Sequence, residues 1–298
     1  MEEVLKKYAR LAVKTGVNVQ KGQTLVIMSP IECAPFTRMV SEIAYEVGAK
    51  EVVIHWNDEI STKIKYMMAP EEILSKIPSW VVDSYLHYSR QDACFLSISA
   101  QDPELMKPVD PKRIAAAQKA RQLALKEHSE RLMSNQNSWS IVSIPTAGWA
   151  TKVFPGKSSE EAIQLLWEQI FKIVRVDKDD PVEAWNEHVS KLKTNMAWLN
   201  AHSFKYLRFK NKLGTDLTIE LPENHLWLGG AEYTATGVEF IANMPTEEVF
   251  TLPKKDGVNG IVYSSKPLNY GGNLIDNFSL TFKSGRVVDC TAEKGLSV

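Results

Sequence analysis

Thr24 to Met28 reads Thr-Leu-Val-Ile-Met and is closed by Pro30. Pro35 then opens a run that places Phe36, Met39, Val40, Ile43 and Ala44 at helical spacing as far as Gly48, and Val52 to Ile54 is a second apolar run. Proline suits the first turn of a helix, because the N–H it lacks would have no partner there. Short runs of apolar, strand-forming residues bounded by turn residues suit strands buried on both faces. Strand, helix and strand with tight connections make a βαβ unit, which demands parallel strands and a right-handed crossover.

Upstream, Leu5, Tyr8, Leu11 and Ala12 recur at helical spacing until Gly16, expected to end the helix by adopting positive φ. Downstream, Cys94 to Ile98 and Ser140 to Ile144 read as further buried strands, and Asp110-Pro111 as the cap of one long helix through Leu125 and Leu132. The expectation is a three-layer α/β domain with a mostly parallel sheet. Ser158 with Glu161 has capping-box spacing, and Asp180, Pro181 and Glu183 open a helix carrying Trp185, Val189, Leu192 and Trp198. From Tyr206 the period changes to two: Tyr-Leu-Arg-Phe-Lys, a turn at Gly214-Thr215-Asp216, then Leu-Thr-Ile-Glu-Leu. Val238 to Ile241, Ile261 to Tyr263, Phe278 to Phe282 and Val287 to Asp289 extend this β pattern, with a turn at Ser284-Gly285 and a helix start near Glu293. The division expected is residues 1–200, an N-terminal α/β domain with trailing helices, and 201–298, the first part of a β-rich catalytic domain.

Composition narrows the function class. The 298 residues are 44% hydrophobic and 24% charged, with 35 Lys plus Arg against 36 Asp plus Glu and a formal charge of -1. That balance argues against a broad nucleic-acid footprint and a polybasic membrane anchor. No apolar run is long enough to span a bilayer, and Glu2 and Glu3 stand where a signal peptide needs base. Cys33, Cys94 and Cys290 are widely spaced and odd in number, which points to a reducing compartment. A soluble cytoplasmic protein is expected.

Several motifs fail. Gly156-Lys157-Ser158 resembles the end of a phosphate-binding loop, but Thr151 occupies the position of its first glycine. Neither G-x-G-x-x-G nor G-x-S-x-G is present. Glu187-His188 lacks a histidine partner, because Lys191 holds that position, so His188 reads as an exposed helix residue. The six histidines show no ligand spacing, and tryptophans such as Trp139, Trp149, Trp167 and Trp227 read as core or interface anchors. What survives is Asn243-Met-Pro-Thr-Glu-Glu-Val-Phe-Thr251, where adjacent Glu247 and Glu248 point to opposite faces of an extended backbone. One can face a cleft and a metal while the other meets solvent. Paired surface glutamates are common, so the residues alone favour a charged loop.

That segment, with Gly16-Val-Asn-Val-Gln-Lys-Gly-Gln-Thr-Leu-Val26, Arg175-Val-Asp-x-x-Asp180-Pro-x-x-Ala-Trp185 and Lys266-Pro-Leu-Asn-Tyr-Gly-Gly-Asn-Leu-Ile-Asp-Asn-Phe-Ser-Leu-Thr-Phe282, resembles the aminopeptidase T, aminopeptidase S and PepS family of metallo-exopeptidases. The resemblance runs to about Gly295. It implies two divalent ions, zinc or cobalt, a homodimer, and removal of N-terminal amino acids from peptides. It places a metal-binding glutamate at Glu247 or Glu248, with Glu247 favoured. The family's other ligands lie in G-E-V, E-N-A-x-x-H and H-x-D motifs, none of which occurs in these residues. The expectation is therefore a sequence lacking the family's C-terminal quarter, with no catalytic residue assigned, poor metal binding and no cleavage by itself, since one glutamate cannot hold two ions. Tyr270 and Asn273 are candidates for the substrate cleft. Tyr270, Asn273, Asp276 and Asn277 all read first as structural, and Asp289 and Glu293 would be ligands only by coincidence. The alternative is a non-catalytic module that binds a small ligand at the carboxyl ends of its parallel strands or that dimerises.

Overall fold

The computed structural model describes residues 1–270 and 273–296. The chain divides into two compact units, residues 1–189 with 231–246 and residues 190–230 with 247–298. In the first, β1 (Thr24–Pro30), β2 (Glu51–Asn57), β3 (Cys94–Ser99) and β4 (Trp139–Ser143) form a parallel sheet in the order β2-β1-β3-β4. Leu25 lies between Val52 and Cys94, and Ile27 between Ile54 and Leu96.

Helix α1 (Glu2–Leu11) precedes β1, and α2 (Ala34–Glu46) joins β1 to β2. After β2 come α3 (Glu59–Met68), α4 (Glu71–Leu74) and α5 (Ser79–Arg90). After β3 come α6 (Pro111–Ala124) and α7 (Lys126–Met133), and β4 leads into α8 (Ala147–Val153), α9 (Ser159–Ile173) and α10 (Pro181–His202). Alternation along the strands builds the layers. Leu25, Ile27, Leu96 and Ile98 join Tyr8, Leu11, Phe36, Val40, Leu166, Ile170 and Trp185 in the main core. Val26 and Phe95 face the other way, packing with Tyr88 and Leu132 of α5 and α7. Both faces are dry, which is why the strands read as unbroken apolar runs.

The start signals act as expected. Asp110 Oδ1 accepts from Lys112 N at 2.9 Å, Ser158 Oγ from Glu161 N at 3.2 Å, and Asp180 Oδ1 from Val182 N at 2.9 Å. Three expectations change. Gly16 ends a π-helical turn, Ala12–Gly16, without positive φ; Asn18 takes that conformation, with φ 49°. A Cβ on Gly16 would stand 3.0 Å from Ser140 Oγ, so the glycine serves a close approach to β4. The long helix after Asp110 breaks at buried Leu125, whose φ of −99° and ψ of 19° end α6 before α7 begins. Finally, Glu239–Phe240 forms only a two-residue ladder with Glu232–Tyr233, and residues 231–246 belong to the first unit.

The second unit holds an antiparallel sheet ordered Arg286–Thr291, Ser279–Lys283, Val258–Tyr263, Asp216–Glu220, Tyr206–Lys210. Ser284 and Gly285 turn with φ of 47° and 76°, the pair of positive values a tight hairpin needs. The helix expected near Glu293 is absent among the described residues; Lys294 instead bridges to Asp276. No helix among the described residues is long and apolar enough to cross a membrane.

Candidate functional site

The segment around the carboxylate pair is placed by backbone pairing. Ile141 N donates to Ala242 O and Met244 N to Ile141 O, each at 2.9 Å, so residues 242–244 lie parallel beside β4 as one more rung of the sheet. Ile241 N donates to Gly16 O at 2.9 Å, and Ile241 and Met244 are buried in the main core. The Met244–Pro245 peptide is cis, and Thr246 is buried behind it. His188 Nε2 donates to the Thr246 carbonyl at 2.7 Å. His188 is thus a half-buried clamp on the residue before the carboxylates, not the exposed residue its spacing suggested. Trp185 one turn earlier is fully buried and donates from Nε1 to Val174 O at 2.8 Å, with its ring edge-on to His188. Helical spacing places residues 185 and 188 on one face, but only the fold shows that Thr246 meets it.

In the second unit, Glu247 N lies 3.4 Å from Glu248 Oε2, and Val249–Phe250 pairs antiparallel with Leu228–Gly229. A Cβ on Gly229 would come within 2.6 Å of Glu248 O, so this backbone contact requires glycine. Glu247 and Glu248 are both exposed. No group of three or more His, Cys, Asp or Glu side chains that could hold an ion exists among the described residues. The pair can contribute donors to a metal centre but does not form one by itself, because divalent ions need ligands converging from several elements.

Tyr270 is exposed and pairs with Asn273 across the Leu268–Tyr270 and Asn273–Ile275 ladder. Gly271, Gly272 and the side chain of Asn273 lie outside the described residues. Asn277 Nδ2 donates to Glu293 Oε2 at 2.8 Å, and Glu293 N to Asp276 O at 3.2 Å, in keeping with a structural role for these three. Cys33, Cys94 and Cys290 are all free thiols.

Two polar clusters elsewhere were not foreseen. Buried Ser89 lies 2.6 Å from His128 Nδ1, and Asn137 Nδ2 donates to Ser89 O and Ala93 O at 3.0 and 2.8 Å. Burial, reinforced by Arg121 and His55, holds His128 down at about 4, so the ring is neutral at pH 7. At the carboxyl ends of the sheet, burial raises the Glu59 carboxyl above its ordinary range, with Glu32 and Asp102 adding repulsion and the Asp102 N–H opposing the rise. Burial, then Glu32 and Glu59, also pushes the Cys33 thiol up to about 11.

Comparison with known proteins identifies the family. A family model described as thermophilic metalloprotease (M29) matches residues 1–298. Aminopeptidase 2 of Geobacillus stearothermophilus is 50% identical over 294 residues, 99% of this chain and 71% of that protein. Aminopeptidase AmpS of Bacillus subtilis is 49% identical, across 98% of this chain and 71% of its own length. The solved structure of wild-type AmpT from Thermus thermophilus superposes with a TM-score of 0.93 at 38% identity, covering 99% of this chain and 73% of that one. The parallel four-stranded sheet, the antiparallel second unit and similarity along the full 298 residues agree: the chain belongs to the M29 metalloprotease family.

Proposed function

We propose that this chain carries the scaffold and one metal-binding carboxylate of a metal-dependent aminopeptidase that releases N-terminal amino acids from peptides. The observation that carries the reading is identity of 50% and 49%, over nearly all of this chain, to proteins named aminopeptidases. A zinc or cobalt pair, peptide substrates, a homodimer and a cytoplasmic location belong to the same proposal. So does the division in which residues 201–298 open the catalytic domain. Such ions activate water for attack on the scissile carbonyl. The role proposed for this chain is to fix the Glu247-Glu248 backbone, through the His188 contact to Thr246 and the Gly229 approach to Glu248.

With no three-donor group among the described residues, the chain alone is expected to hydrolyse leucine p-nitroanilide, with zinc or cobalt added, far more slowly than a longer relative. Turnover near the relative's rate refutes the donor argument. Cobalt titration of a complete enzyme with the corresponding substitution separates the two glutamates: Glu247→Gln weakens binding more than Glu248→Gln. The reverse order moves the ligand to Glu248.

A further inference from the structure

The strand pair beside the carboxylates has little of its own to hold it. Leu228–Gly229 and Val249–Phe250 form a separate two-stranded sheet of two residue pairs, and a ladder that short is marginal in water. Its side chains supply no core either: Leu228, Phe250 and Leu252 are 53%, 49% and 75% exposed. Its placement still matters, because Glu248 adjoins Val249, and the Glu248 carbonyl is what a Cβ on Gly229 would meet at 2.6 Å. One side-chain amide anchors the ladder. Asn200, in the last turn of α10, accepts from Trp227 N through Oδ1 at 2.8 Å and donates from Nδ2 to Trp227 O at 3.1 Å. Both backbone groups of the residue before Leu228 are thereby taken, as a residue on an antiparallel partner strand would take them. Trp227 is buried, and its indole Nε1 has no acceptor among the described residues, so the polar hold on it there is the Asn200 amide. Asn200, Trp227, Gly229 and Glu248 all belong to the second unit.

Asparagine is a poor helix residue, because its short amide competes for nearby backbone groups. At position 200 that amide instead binds the backbone of a residue 27 positions further on. We propose that Asn200 is a positioning residue for the metal-binding carboxylates. By holding the Trp227 backbone it sets the place of Gly229, and Gly229 in turn sets the Glu248 backbone, with Glu247 beside it. This rests on the aminopeptidase reading, in which one of the two glutamates is a ligand. Groups that orient a ligand without touching the ion matter because affinity depends on where the ligand stands, and losing one typically weakens metal binding roughly 10–100-fold. The clamp is an uncharged amide on two peptide groups, so its removal lowers turnover without changing the shape of the pH profile.

Hydrogen exchange of the 298-residue chain compares the parent with Asn200→Ala and with Asn195→Ala, the same change at an exposed position of the same helix. The Val249 and Phe250 amides are expected to exchange at least about tenfold faster in Asn200→Ala and at the parent rate in Asn195→Ala, with far-UV circular dichroism alike in all three. Asn200→Asp keeps the acceptor for Trp227 N and removes the donor to Trp227 O, so it should also speed exchange and serves if the alanine variant does not fold. In a longer relative with asparagine at the corresponding position, the alanine substitution should raise the cobalt dissociation constant, read from visible absorption, roughly tenfold. Leucine p-nitroanilide kinetics should show kcat reduced with KM within about twofold of the parent. Unchanged exchange at residues 249–250 overturns the clamp. Faster exchange with unchanged cobalt affinity also overturns the proposal, because the strand is then held without the ligand being placed. A parent relative that neither takes up cobalt nor cleaves the substrate overturns the aminopeptidase reading on which the proposal rests, while the exchange rates report on the clamp independently.

Discussion

Trp185 is the side chain whose loss should be felt most widely. Its indole is fully buried in the main core, its Nε1 donates to Val174 O at 2.8 Å, and the Arg175 guanidinium stands 5.1 Å from the ring centroid. Trp185→Phe keeps one ring, leaves the Val174 carbonyl without its donor and opens a void where the second ring stood. An unpaired buried acceptor costs about 1–3 kcal/mol, and the lost packing adds about 1–2 kcal/mol, for a total of about 3 kcal/mol. Trp185→Ala removes the whole side chain and should cost about 3–5 kcal/mol. For a unit of this size, 3 kcal/mol corresponds to a Tm lower by roughly 6–12 °C. Urea unfolding followed by far-UV circular dichroism gives the free energy directly, and two compact units make it necessary to resolve two transitions if they separate. The substitution should destabilise the transition of the α/β unit and leave m unchanged. A loss below about 1 kcal/mol for Trp185→Ala would refute the reasoning, since the indole could then be neither tightly packed nor the sole donor to that carbonyl.

Three further outcomes follow from local geometry. His128 is held at about 4 when folded, against about 6.5 in the unfolded chain, so its contribution to stability is complete above pH 6.5 and fades as pH falls from there towards 4, by up to about 3 kcal/mol. Urea midpoints at pH 7.5 and 4.5 measure this, and a pH slope unchanged in His128→Phe would remove His128 as its source. Gly229→Ala puts a methyl group 2.6 Å from Glu248 O, so the Val249–Phe250 pairing should open and its amides exchange at least about tenfold faster; unchanged protection in hydrogen exchange refutes the close approach. Asp180→Ala removes the acceptor for Val182 N and Glu183 N at the start of α10 and should cost about 1 kcal/mol in a thermal scan, with no loss contradicting the cap.

The α/β layers were legible because strands dry on both faces and capped helices write their burial directly into local spacing, as Leu25 to Ile27 and Ser158 with Glu161 do. Spacing is silent about which neighbour an apolar stripe meets. Residues 59–68 went unread as a helix, although Ile60, Ile64, Met67 and Met68 have helical spacing; in α3 all four are exposed, and Arg113, 44 or more residues away in sequence, holds the last turn through Tyr66 O and Ala69 O. Gly16 looked like a conformational stop because glycine's missing Cβ serves two ends, and only the position of Ser140 distinguishes them. The same limit holds at the site. Glu247 and Glu248 stood out by adjacency, whereas the hydrogen bond from His188 to Thr246 spans 58 residues and leaves no periodic trace.

Because residues 242–244 complete the edge of a sheet whose other strands end at Ser143, a nascent chain must extend about a hundred residues past β4 before that edge is capped. Until then β4 offers unpaired N–H and C=O groups to any neighbouring strand. A ribosome adding about 5–20 residues per second keeps that edge open for roughly 5–20 seconds. Proteolysis that leaves a fragment ending at residue 189 recreates the same exposed edge permanently, so such a fragment should be prone to edge-to-edge aggregation, and co-expressing a peptide spanning residues 231–246 should relieve it.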